Sequence, residues 1–178
     1  VYSVSYDGTD DYHEVSLDGR STGGILASND SDVELTLSFW IYPQTTTPPI
    51  YLSWGNTATA AAPYWTIQHN RIFVDGGFRN FSTNLTQNAS NNNWNVFLNG
   101  NSSAVTTYND SGSVTNRSNA INFYVGIGYN SSTICKVDEL AFWNSDKSSS
   151  LSTIYNSGTP GNLTSLSPYG WWKMGDSD

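Results

Sequence analysis

The sequence predicts an all-β domain, a sandwich or barrel of short strands with one brief helix. Three observations carry that expectation. Apolar and polar residues alternate with period two in run after run, as on a half-buried strand. Turn signals rich in Gly, Asn and Asp separate those runs at short intervals. The composition suits exposed β-faces made soluble by hydroxyls and amides: 14% of residues are aromatic and 12% charged, while Asn, Ser and Thr make up 64 of 178. Few charges and many Trp and Tyr also argue against disorder, which needs the opposite balance.

Taken in order, residues 1–6 alternate into the turn Asp7-Gly8, and residues 13–17 into the turn Asp18-Gly19. The clearest strand covers 35–42: Leu35, Leu37, Phe39 and Ile41 share one face, expected to meet the core, and Pro43 closes the run. Further strands are expected at 50–54, 64–69, 71–74, 96–98, 104–108, 122–127 and 136–143. Segments 45–49 and 80–95 read as loops. One helix is expected over 149–157, a clip packed on a sheet. Ser148, Ser149 and Ser150 offer its N-cap, Leu151, Ile154 and Tyr155 follow at helical spacing, and Gly158 sits at C′. No repeat or linker divides the chain, so residues 1–178 are expected to form one domain.

The charge balance narrows function. Seven Lys and Arg against fifteen Asp and Glu give a net charge of −8, which repels phosphate backbones and argues against nucleic acid. No apolar stretch is long enough to span a bilayer. Val1 in place of Met, with no leader pattern, suggests a processed or excised piece. With Cys135 alone there is neither an intrachain disulfide nor a Cys-based zinc site. Stability must then come from the core, from a bound ion or from neighbours.

Five segments together resemble laminin-G-like, concanavalin A-like jelly-roll domains. They are Tyr6-Asp7-Gly8-Thr9-Asp10-Asp11-Tyr12 with Val15, the strand from Leu35 through Phe39-Trp40 to Pro43, and the hairpin Phe97-Leu98-Asn99-Gly100. The others are Val125-Gly126-Ile127-Gly128 followed by Val137-Asp138-Glu139-Leu140, and the closing Ile154-Tyr155-Asn156-Ser157-Gly158. They stand in the family's order over nearly the whole chain. The ending Gly170-Trp171-Trp172-Lys173-Met174-Gly175-Asp176 is similar to tails of such domains in marine phage and viral surface proteins. The resemblance implies a two-sheet antiparallel jelly-roll sandwich. One departure stands out: Trp94-Asn95 runs almost directly into Val96-Phe97-Leu98-Asn99-Gly100. Either one sheet is a strand short, with an open edge to cover, or the numbering conceals a gap.

Catalysis finds no residue set. Glucanases that share this fold use two carboxylates on alternate positions of one strand. Asp138 and Glu139 are adjacent, so a regular strand sends them to opposite faces. His13 and His69 are the sole histidines, and no Gly-x-Ser-x-Gly motif occurs. No enzyme is expected. Calcium is more credible: Asp7, Asp10 and Asp11 cluster hard oxygen ligands around Gly8, although the same pattern also makes an ordinary Asx-rich turn. The resemblance implies that the opening strand lies near the acidic strand, which would add Asp138 or Glu139.

Sugar stacks its apolar face on aromatic rings. Trp54, Tyr64 and Trp65 flank a loop, and Tyr129 follows the Gly126/Gly128 pair, so these four are candidate carbohydrate contacts. Trp40, Trp143, Trp171 and Trp172 fall in strands and are expected to pack. Nine Asn-x-Ser/Thr sequons (Asn29, Asn80, Asn84, Asn88, Asn101, Asn109, Asn116, Asn130 and Asn162) are present, in a chain whose 44 Ser and Thr produce many by chance.

The function expected is a non-catalytic adhesion module on a virion or other extracellular surface, binding glycans such as a host polysaccharide. The alternative is a structural decoration, capsid or fibre domain whose partner is its own assembly, as a homo-oligomer or with other subunits.

Overall fold

The computed structural model describes residues 3–16, 33–44, 50–55, 65–68, 79–87, 92–101, 122–128, 131–132 and 134–175. The first strands are β1 (Val4–Asp7), β2 (His13–Ser16), β3 (Val33–Pro43), β4 (Ile50–Gly55) and β5 (Trp65–Gln68). Next come β6 (Arg79–Gln87), β7 (Asn92–Leu98), β8 (Asn122–Val125), β9 (Ile127–Gly128) and β10 (Ser131–Ser132). The long β11 (Ile134–Trp143), helix α1 (Leu151–Tyr155) and β12 (Gly170–Trp172) complete the order.

These strands make a two-sheet antiparallel sandwich. Sheet I runs β1-β11-β3-β6-β7, with β12 also on β11, and sheet II runs β2-β8-β4-β5. β9 and β10 form a small two-stranded ladder of their own, with β9 next to β4. Leu37, Phe39 and Ile41 have no exposed surface, and β11 answers with Val137, Leu140 and Phe142. Tyr6 ties the sheets: its hydroxyl lies 2.9 Å from Nδ1 of His13 on β2. Gly126 is required beneath it, since a Cβ there would sit 2.4 Å from the Tyr6 ring and the backbone φ is +88°.

The other face of β3 is also covered. Thr36, Ser38 and Trp40 are buried, by a layer made of α1 and the segment leading to β12. Thr36 can afford this because its hydroxyl donates to Ser145 O at 2.7 Å and accepts the Lys147 N–H at 2.9 Å. Trp40 stacks on Tyr155, with ring centroids 6.1 Å apart. Phe97, Ala141, Trp143, Leu151, Ile154 and Leu163 form the second core, with Leu166 and Trp171 against it. The molecule thus has three layers, and alternation in the strand revealed just one of β3's two buried faces.

Several expectations need correction. Within segment 80–95, expected as a loop, residues 80–87 and 92–95 are strand, in β6 and β7, and β6 pairs on both sides. Its Asn and Thr disguise a regular alternation in which Phe81, Thr83 and Leu85 oppose Phe39, Leu37 and Leu35. Trp94 to Leu98 is one continuous strand at the end of sheet I's described order. The helix is shorter than expected, with α1 between two 3-10 turns, Ser148–Ser150 and Asn156–Gly158. Ser150 makes no side-chain cap; instead Asp146 Oδ1 accepts the Ser148 N–H at 2.7 Å. The left-handed turn that ends α1 begins at Asn156, φ +43°, two residues before Gly158. Strand candidates 71–74 and 104–108, and the loop 45–49, lie outside the described residues.

Strands at the two ends of a jelly roll commonly lie side by side, an expectation that sets residues 169–174 beside residues 1–6; β12 lies instead on β11, where Trp171 faces Ala141 and Trp172 faces Leu140. β1 covers β11 only from Ile134 to Val137, leaving room on the same edge for β12 at Leu140–Phe142. Between the two, β11 bulges: Asp138 pairs with Trp40 and Ala141 with Ser38, with Glu139 left-handed at φ +51°. Trp172 packs edge-on against Phe142 at 5.9 Å, and Lys173 Nζ covers the Trp171 ring at 5.3 Å. Among the described residues no helix is long and apolar enough to cross a membrane.

Candidate functional site

The turn after β1 gathers the acidic residues. Gly8, at φ +81°, lets the chain reverse under Ile134. Asp7 Oδ1 accepts the Thr9 N–H at 2.8 Å, and the Asp7 N–H donates to Asp11 Oδ2 at 3.2 Å. These bonds fold the loop so that carboxylate oxygens of Asp7, Asp10 and Asp11 come within 4.8 Å of one another, all exposed. Two oxygens on one Ca²⁺ can lie no further apart than twice the Ca–O distance, ~4.6–5.2 Å. The three carboxylates therefore fit one calcium ion as part of its shell, the remaining positions going to backbone carbonyls or water.

Asp138 and Glu139 are elsewhere. Asp7 pairs with Ile134, so Asp138 is four residues further along β11, ~13 Å at the strand's rise. The antiparallel register brings β1 and β11 together yet sends the two acidic groups to opposite ends of their contact. Both residues are buried, Asp138 fully and Glu139 to 6% exposure. Asp138 Oδ1 accepts the Glu139 N–H at 2.9 Å, and Trp171 Nε1 donates to Glu139 Oε2. That geometry is one of a bulge tied to the closing strand.

Of the aromatic set, Trp54 and Trp65 are brought together. They are register partners at the ends of β4 and β5, on either side of the 56–64 connection, and partners in register share a face of the sheet. Tyr64 and Tyr129 lie outside the described residues, as does His69. Trp40 and Trp143 are buried, and Trp143 Nε1 donates to Leu166 O at 3.1 Å.

Two further groups surround the acidic turn. Burial first, then the Cys135 thiol and Asp11, push the Tyr6 phenol above its ordinary range. It stays protonated, and its hydroxyl is hydrogen-bonded to His13 Nδ1. Tyr12 is 44% exposed and meets Tyr124 edge-on at 6.0 Å. Sequence reasoning missed Tyr12, whose one signal was its position directly after Asp11. Burial also pushes the Cys135 thiol up to about 12, so at neutral pH it is neither a nucleophile nor a ligand.

No protein-family model and no curated protein sequence matches the chain. Solved structures do share its shape. A Trypanosoma rangeli sialidase in complex with sialic acid superposes with a TM-score of 0.51 at 14% identity, covering 86% of this chain and 27% of the sialidase. The binding domain of botulinum neurotoxin serotype D/C gives 0.45 at 12% identity, over 70% of this chain and 36% of that one. Domains LG4-5 of the mouse laminin alpha1 chain give 0.41 at 12% identity, over 97% of this chain and 49% of theirs. The chain spans about a quarter of the sialidase it is similar to, and likeness at this identity concerns the fold alone.

Proposed function

We propose that this domain is a non-catalytic glycan-binding module of a virion or other extracellular surface, with Ca²⁺ bound at Asp7, Asp10 and Asp11. The observation that carries the reading is the in-register pair Trp54 and Trp65 at the end of the β4–β5 hairpin where residues 56–64 connect the two strands. The register sets two tryptophans side by side in the backbone ladder, and tryptophan is the residue type on which the apolar faces of sugar rings stack. The absence of a paired-carboxylate geometry at Asp138 and Glu139, one strained and bonded to Trp171, supports binding over hydrolysis. The resemblance of the closing Trp171-Trp172 segment to phage and viral surface domains supports the location.

The test is a glycan array probed with the whole chain, with and without a calcium chelator. One class of glycan should be retained, and Trp54→Ala and Trp65→Ala should each weaken it by at least tenfold, ~1.4 kcal/mol, with the melting temperature as a fold control. Retention of no glycan, with self-association in sedimentation, would replace this reading with the assembly role.

A further inference from the structure

Four of the nine sequon asparagines, Asn80, Asn84, Asn101 and Asn162, lie among the described residues, and the fold sorts them into two kinds. Asn80 and Asn84 belong to β6, which is paired on both sides by β3 and β7. Their register partners on β3 are Trp40 and Thr36, on the face buried by α1 and the C-terminal segment. A strand held by ladders on both sides has to leave the sheet before its backbone can enter a transferase. Asn101 and Asn162 are both exposed, in turns at the layer's margin.

Asn162 is set up with particular clarity. Leu163, the middle residue of its sequon, is 3% exposed and anchored in the second core, while Asn162 and Thr164 on either side face solvent. Asn162 Oδ1 accepts the Thr164 N–H at 2.9 Å. The carbonyl oxygen is thereby held by the sequon's own backbone, and Nδ2, the atom that takes the sugar, is left on an exposed side chain. Asn101 closes the Asn99-Gly100 hairpin turn, its N–H donating to Leu98 O at 3.0 Å.

We propose that Asn162 and Asn101 are N-glycosylation sites of this domain and that Asn80 and Asn84 are not. The donor class is an oligosaccharide carried on a polyprenyl diphosphate. Nδ2 loses one proton as it bonds to the sugar's anomeric carbon, and the bond from that carbon to the diphosphate oxygen breaks, releasing the polyprenyl diphosphate. Both sites flank the same helix. A Cβ at Gly100 would lie 3.1 Å from Tyr155 Cβ, and Leu163 shares a cluster with Ile154. Glycans on both would clothe the helix layer, on the side of sheet I away from sheet II. The inference is independent of what the domain binds.

The test is secretion of the whole chain from insect cells, followed by site-by-site peptide mapping before and after enzymatic deglycosylation in isotopically heavy water. Glycan is expected on Asn162 and Asn101, with Asn80 and Asn84 unmodified in the folded protein. Thr164→Ala should remove the mass of one glycan, and Thr164→Ser should keep it. An empty Asn162 or Asn101, or a glycan on Asn80 or Asn84 of folded protein, would overturn the proposal.

Discussion

Phe39 has no exposed surface and lies opposite Phe81 in the middle of sheet I. Truncating it to Ala leaves a ring-sized cavity among β-strands that cannot collapse around it, and the expected cost is ~3–5 kcal/mol. Urea unfolding would report this as a lower midpoint; an unchanged midpoint would contradict the assignment. Phe39 was legible because its strand alternates cleanly. Thr36 and Ser38 were not, because buried hydroxyls look like exposed ones until their partners, such as Ser145 O, are known. Cys135 offers a second test. Burial raises its thiol from the ordinary 9.0 to about 12, so the folded state holds that proton more tightly than the unfolded chain. The stability this contributes is complete below pH 9 and is lost as pH rises from 9 toward 12. At neutral pH an aromatic disulfide reagent should therefore react with Cys135 only as fast as the protein unfolds. Immediate reaction of native protein would show the thiol to be accessible.

Among the elements, β12 connects the layers. Trp172 reaches Phe142 on the core side, while Trp171 lies on the helix layer and donates to Glu139. Trp171→Phe keeps an aromatic ring, though a smaller one, and loses the donor, which deprives a buried carboxylate of one partner at an expected cost of ~1–3 kcal/mol. Deleting residues 169–178 should cost far more, leaving Leu140–Phe142 of β11 without an edge partner; a truncated chain that melts like the full one would make β12 dispensable. The aromatic density of this segment announced a strand, yet its partner was misassigned. The Glu139 bulge that divides β11's edge into two berths has no signal in a run of residues that reads as one strand. β6 was lost for a different reason. Asn is a poor strand former in general, and Asn80 and Asn84 outweighed the Phe81–Thr83–Leu85 alternation beside them. Of the candidate site, the Asp7–Asp11 loop was legible because its geometry is local. The distance of Asp138 from it was not, because strand register is a tertiary property.

For the molecule as a whole, the three clustered carboxylates add local repulsion to a net charge of −8. A cation that binds only the folded state offsets this by mass action, ~2.7 kcal/mol at one hundred times its Kd. Calcium should raise the melting temperature at fixed ionic strength, and Asp10→Asn or Asp11→Asn should abolish the rise. Asp138→Asn should leave it in place. A melting temperature indifferent to chelation would remove calcium from the proposed function. The arrangement of β1 and β12 reaches further. Both run antiparallel to β11, so they run parallel to each other, and along β11 the end of β12 at Leu140 precedes the start of β1 at Val137. Tail leads into head across a break of three residue steps, ~10 Å. A circular permutant that bridges this break with a few glycines and opens the chain at the Asn99-Gly100 turn should fold and melt close to the parent. A longer polypeptide holding this domain would enter and leave it at neighbouring points on one sheet edge, so the domain would hang from such a chain as a pendant, and tension along the chain would pass through the β11 edge while sheet II stayed unstretched.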